Sequence, residues 1–146
     1  MQAGSPWRVE IAAESIAPHS DVVVRWQLLP GVGATVTFTG QVRRDSQAGD
    51  VSAIDLEHYS GMSERLLLQL LQDAAAHWGI VAGEIVHRIG LVPAGETIVR
   101  VSVASAHRRE AFEAAAGIMD TLKTSAPFWK REWINGQAHW VDSVKR

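Results

Sequence analysis

The stretch HRREAFEAAAGIMDTLKTSAPFWKRE, His107 to Glu132, decides how this chain is read. It opens on three cationic or titratable groups, His107, Arg108 and Arg109. Phe112, Ala116 and Met119 then recur at steps of four and three, the spacing of one helical face. The next place on that stripe falls to Lys123. A lysine there must carry its ammonium out to water, pair with an anion, or do chemistry. Pro127 stops the helix, and an extended FWKRE follows with Lys130 and Arg131. The pattern predicts a helix over 107–124 and a strand over 128–134.

The neighbours of this stretch extend the pattern in both directions. Before it, 97–105 is rich in Ile and Val and reads as a central strand. After it, Asn135-Gly136 marks a hairpin with a return strand at 138–141, and VDSVKR forms a tail. Residues 34–42 predict a strand, in which Gly40 permits a bulge or a close backbone approach. The loop 45–50 is polar, and 51–59 returns as a strand. Leu66, Leu67, Leu70, Leu71, Ala74 and Trp78 give an amphipathic helix over 63–78, ended by Gly79. A strand over 80–89 and a turn-rich connection over 90–96 complete the middle. At the other end, residues 1–6 read as loose and 7–13 as a strand. Residues 18–29 fit either a helix or a strand; the spacing of Val22, Val23, Trp26 and Leu29, behind a Ser20 or Asp21 cap, favours helix. The order is roughly βαββαββαββ, with strand-helix-strand units at 51–89 and 97–134. It predicts one α+β domain over 1–146, with helices packed on a mixed sheet.

Composition narrows the function classes. The chain has 146 residues, 47% of them hydrophobic, which suits a folded domain. A formal net charge of -2 disfavours general nucleic-acid binding. The absence of cysteine excludes disulfides, cysteine nucleophiles and thiolate metal sites, so any sulfur chemistry must use sulfur from elsewhere. No segment resembles a membrane span, and MQAGSPWRVE lacks the basic and apolar parts of a secretion signal, so a cytoplasmic location is expected. His58, His87, His107 and His139 are scattered, so no metal site is expected. Nor does a Walker or dinucleotide glycine pattern occur.

Two groups of residues carry possible chemistry. Lys123 and Lys130 flank a proline that forces a change of direction, and both amines read either as facing one cavity or as surface cations near a helix end. In a cavity they would serve as general acids, general bases or nucleophiles. Arg43, His107 and Arg108 stand at or just beyond predicted strand ends, and read either as solvated loop charge or as an anion pocket for phosphate or carboxylate. Glu132 reads as an orienting partner for a lysine or arginine, or as half of a surface ion pair. Phe38 suits stacking on a flat heterocycle, although a phenylalanine in such a strand is more often plain core.

The segments VTFTGQVR, LEHYSGM, IVHRIG, SAHRREAF and MDTLKTSAPFWKRE, in that order, resemble the large, catalytic subunit of molybdopterin synthase, the MoaE family. The resemblance runs from about Ala34 to Val141. It implies an α/β hammerhead fold with a small antiparallel lobe. It implies sulfur transfer from the Gly-Gly thiocarboxylate of a small ubiquitin-like carrier to cyclic pyranopterin monophosphate, precursor Z, forming the dithiolene of molybdopterin. A central homodimer with a carrier at each end, a 2+2 heterotetramer, would be the assembly, and no cofactor is implied. On this resemblance Lys123 and Lys130 are the catalytic lysines, and Arg43, His107 and Arg108 hold the phosphate with them. Glu132, Met119 and Phe38 support the pocket. The family often has an arginine after the final Trp-Val that reaches the neighbour's pocket; here Val144 stands at that place, with Lys145 and Arg146 adjacent. Competing readings from other classes are a non-catalytic scaffold for a ubiquitin-like carrier and a small phosphate-binding regulatory domain.

Overall fold

Thr97–Ser105 (β7) forms the middle of the larger sheet, and its sequence explains why. Val99, Val101 and Val103 are buried on one face, while Arg100, Ser102 and Ala104 are buried on the other. Only a strand covered on both sides reads this way. The computed structural model describes residues 5–46, 49–125 and 128–140. In it β7 lies between Ala82–Arg88 (β5) and Ala34–Gln41 (β2), antiparallel to both, and Trp7–Ala12 (β1) adds to β5 in parallel. Met62–Trp78 (α2) and Arg108–Ser125 (α3) cover one face. Leu67, Leu71, Ile85, Val101, Ala114 and Ile118 are among the buried side chains between them. A short helix, Asp21–Arg25 (α1), with the 3-10 turn Trp26–Leu28, covers the other face through Trp26.

The remaining strands form the antiparallel lobe. Gly49–His58 (β4) pairs with Asp45–Ser46 (β3), Gly90–Pro93 (β6) and Phe128–Ile134 (β8), and β8 turns back at Asn135-Gly136 into Gln137–Trp140 (β9). Val42, Val51, Ile54, Leu56, Val92 and Ile134 form the lobe's core. Ile98 and Phe128 touch both this core and the sheet–helix core, so these two side chains join the halves. The expected α+β class with mixed sheet and small antiparallel lobe is therefore observed.

Three local expectations need correction. The helix expected over 18–29 is present but shorter, a five-residue α-helix that tightens into the 3-10 turn Trp26–Leu28, since Val22–Val24 is a β-branched run with low helix propensity and Pro30 lies just beyond. Its expected cap is present: Ser20 Oγ accepts from the Val23 N–H at 3.4 Å. The turn-rich 90–96 contains β6, because Val92 fills the lobe core and the backbone can add to the edge of β4. The polar 45–50 loop carries a two-residue pairing, β3 with the start of β4.

Small residues set the helix packing. A Cβ at Gly117 would stand 2.1 Å from a ring atom of Trp78, so the bare glycine is what lets α2 and α3 close on that indole. Across the sheet, fully buried Glu84 accepts from Arg8 at 2.6 Å, Ser20 at 3.1 Å and Arg100 at 3.2 Å. Arg100 also donates to the Ala17 and His19 carbonyls. This buried cluster ties the N-terminal segment to β5 and β7.

Candidate functional site

Two groups of expected site residues stand toward opposite ends of α3. The first gathers around the C-terminal end of α3. Here Lys123 occupies the last turn, exposed, and Met119 one turn earlier is half-buried against the helix core. Lys130 is half-buried in β8, opposite Leu56, and Glu132 is buried opposite Ile54. Strand alternation puts Phe128, Lys130 and Glu132 on one face of β8. Phe38 in β2 is 40% exposed, and its ring leans over Gly40, where an added Cβ would meet it at 3.3 Å. The expected close approach at Gly40 is thus present, with a register shift at Gly40/Gln41. Arg43 is exposed in the connection from β2 to β3.

The apolar stripe leading to Lys123 is not the buried one. Ala111, Ala114, Ala115, Ile118 and Leu122 face the sheet, whereas Phe112 is 62% exposed and Ala116 is exposed. The inward face combines three alanines near the start of the helix with Ile118 and Leu122 nearer its end. Lys123 therefore continues an exposed stripe, and its ammonium reaches water directly. Pro127 lies outside the described residues, as do Val144, Lys145 and Arg146.

The second group lies at the start of α3. His107, Arg108, Arg109, Glu110 and Phe112, with Gly33 and Ala106, line an open cavity of about 660 Å³. Ser105 Oγ donates to the His107 carbonyl at 2.5 Å, and the Gly33 N–H donates to the Ser105 carbonyl at 2.9 Å. A Cβ on Gly33 would lie 2.2 Å from the Ala106 carbonyl oxygen, so glycine is needed where the chain enters β2. Unsatisfied N–H groups of a long helix and two cationic side chains make this end attractive to anions.

Arg43, His107 and Arg108 all follow strand ends, but β2 and β7 are antiparallel, with Ala34 opposite Ser105 and Gln41 opposite Thr97. Consecutive C-terminal ends therefore point in opposite directions. Along α3, the 15 steps from Arg108 to Lys123 span about 22 Å at the helical rise. Within one chain, Arg43 shares an end with Lys123, while His107 and Arg108 occupy the far end.

Residues not singled out from the sequence also cluster here. His87, in β5, stacks on Phe128 with ring centroids 4.1 Å apart and planes 13° apart, and His58 lies 6.3 Å from the same ring. The signal was visible only as two isolated histidines in LEHYSGM and IVHRIG. A second cavity, about 670 Å³, opens beneath the N-terminal segment beside Arg8 and Arg100. It lies on the sheet face away from α3, and the Glu84 cluster already engages both arginines. Among the described residues, no three His, Asp or Glu side chains are grouped to hold a metal, and no helix is long and apolar enough to cross a membrane.

The profile of the family described as MoaE protein matches residues 11–125. The chain belongs to the MoaE family. The matched span holds Arg43, His107, Arg108 and Lys123, with Lys130 and Glu132 beyond its end. Among MoaE relatives, the molybdopterin synthase catalytic subunit of Yersinia pestis is 50% identical over 111 residues, covering 76% of this chain and 74% of its own. The Pasteurella multocida protein of the same description is 40% identical over 136 residues, covering 92% and 91%. Molybdopterin synthase from Staphylococcus aureus superposes with a TM-score of 0.80 at 28% identity, covering 91% of this chain and 96% of that one. The MoaE fold expected from the sequence is thus the fold observed.

Proposed function

We propose that this chain carries out sulfur transfer in molybdenum cofactor biosynthesis, moving sulfur from the C-terminal thiocarboxylate of a small ubiquitin-like carrier to precursor Z. As a MoaE protein it is a molybdopterin synthase catalytic subunit, and the single observation that carries this is the family match over 11–125 together with 50% identity to such a subunit. A protein described as the catalytic subunit works with another subunit, which here is the carrier. The lysine-bearing end supports the chemistry. An anionic thiocarboxylate sulfur attacks an electrophilic side-chain carbon of the pterin, forming a C–S bond as a C–O bond to that carbon breaks and its oxygen leaves as water or with the phosphate. The exposed Lys123 ammonium orients that sulfur and balances its charge. Water then cleaves the acyl–sulfur bond, releasing the carrier with an ordinary carboxylate, while Lys123 or Lys130 moves the proton. Two carriers are consumed per dithiolene.

The separation of about 22 Å along α3 bears on assembly. His107 and Arg108 reach a lysine-bearing site if two copies pair so that the start of one α3 meets the end of the other. A homodimer of this kind has two equivalent sites, each with Arg43, Lys123 and Lys130 from one copy and His107 and Arg108 from its partner. The exposed Phe38 and Phe112, with β2 at the sheet edge, supply apolar and backbone surface for such pairing.

Purified protein, thiocarboxylated carrier and precursor Z should yield dithiolene in a single-turnover assay. Lys123→Ala should keep the fold and the carrier complex yet lose most turnover, and Lys123→Arg should also be poor because guanidinium does not shuttle protons. A carrier complex that forms without any dithiolene product would favour the scaffold reading.

A further inference from the structure

Phe128 is the aromatic residue that joins the two cores, and Lys130 follows it on the same face of β8. His87 supports that ring from β5. Its imidazole stacks nearly parallel on Phe128 at 4.1 Å, and its Nδ1 lies 2.8 Å from the Arg88 carbonyl oxygen. A carbonyl only accepts, so Nδ1 carries the hydrogen and the ring's tautomer and direction are both fixed. His58, on β4 directly opposite Phe128, is fixed in the same way. Ser63 Oγ gives its hydrogen to the Tyr59 carbonyl at 2.7 Å, so the 3.1 Å contact between His58 Nδ1 and that oxygen is a donation from His58. Two oriented imidazoles thus lie beside Phe128, and β8 enters the lobe against them.

We propose that His87 is a positioning residue for Lys130: its imidazole face seats Phe128 and so sets where the lysine two residues along β8 enters the site. The proposal rests on the reading that Lys130 acts in turnover. Three things separate this role from core filling. The hydrogen bond from Nδ1 to the Arg88 carbonyl fixes the ring's direction, so its face is held toward Phe128. It seats a residue that belongs to both cores, so a shift there is transmitted along β8. Finally, it remains uncharged: burial pushes His87 down to about 4, the charges of Lys130 and His58 press the same way, and the hydrogen bond to the Arg88 carbonyl opposes them. The residues paired with it on the flanking strands, Ile11 of β1 and Val99 of β7, carry no charge. A ring that stays neutral supports Lys130 without placing a second cation beside it.

The test compares His87→Phe, His87→Ala and Lys130→Ala in single-turnover dithiolene formation with thiocarboxylated carrier and precursor Z. Carrier and substrate affinities are titrated separately, and folding is followed by thermal melting. His87→Phe keeps a stacking face and should stay within about threefold of wild type. His87→Ala should lose about tenfold to a hundredfold in turnover at unchanged affinities, the signature of a misplaced reacting group. If His87→Ala does not fold, Phe128→Leu removes the stack while keeping apolar volume, and the same loss is expected. Wild-type turnover in a folded His87→Ala or Phe128→Leu protein, beside an inactive Lys130→Ala, would overturn the positioning role. Equal loss in His87→Phe and His87→Ala would overturn it too, since the ring face would then not be what matters. Wild-type turnover in Lys130→Ala would instead remove the underlying reading of that lysine.

Discussion

A dimer built from one Lys123→Ala chain and one Arg108→Ala chain should be active although neither variant is active alone. The expectation comes from helix geometry. Arg108 opens α3 and Lys123 sits in its last turn, about 22 Å apart at the helical rise, too far for both to hold one small substrate within a chain. If each site takes its lysines from one copy and its His-Arg pair from the other, the mixed dimer concentrates both defects in one site. The second site is then intact. Dimers isolated through two different affinity tags should show about half the wild-type turnover per dimer, one working site of two. An unsorted equimolar mixture with random pairing should show about a quarter. Both substitutions are at exposed positions, so folding should be little changed. The assay is single-turnover dithiolene formation with saturating carrier, with a wild-type/double-variant dimer as control. Mixed dimers as inactive as their parents would refute the shared site, because that is what sites formed within single chains require.

Three further outcomes are expected. Arg43→Ala should weaken precursor Z binding by about tenfold, the loss of one charge-assisted contact, with little change in melting temperature; unchanged affinity in a titration would remove Arg43 from the site. Gly117→Ala should destabilise despite gaining about 1 kcal/mol in helix propensity, since its Cβ would stand 2.1 Å from the Trp78 ring and displacing that ring costs about 1–3 kcal/mol; urea unfolding measures the balance, and a more stable variant would contradict the packing argument. His87, at about 4 in the folded protein against 6.5 as its ordinary value, leaves the unfolded chain binding more protons between those limits. Stability should therefore rise with pH across that window, by at most about 3 kcal/mol from this group, and fall as the solution is acidified. Urea unfolding at several pH values should show a flatter dependence in His87→Phe, and an identical slope would assign the effect elsewhere.

Which features the sequence made legible follows from how local their causes are. The amphipathic spacing of 63–78, the Val and Ile of 97–105 and the Asn135-Gly136 turn each act over a few residues, and all three elements stand where expected. The strand β6 was hidden because Val92 is ordered by burial in a lobe core assembled from two other strands, β4 and β8, and a connecting residue, Val42. The buried face of α3 was misread for a related reason. Phe112 is 62% exposed, whereas Ala111, Ala114, Ala115, Ile118 and Leu122 pack inward with Met119 at the margin, because the i, i+3, i+4, i+7 set starting at Ala111 and ending at Leu122 is the one that faces the sheet. The candidate site failed on direction. Arg43, His107 and Arg108 share a local description, a cation after a strand, but strand pairing decides whether such ends meet. With Gln41 opposite Thr97 and Ala34 opposite Ser105, Arg43 joins the lysines while His107 and Arg108 are carried away from them. Local sequence named the residues; the antiparallel register of β2 and β7 places them at opposite ends of one chain, which is why the proposed shared site draws its His-Arg pair from a second copy.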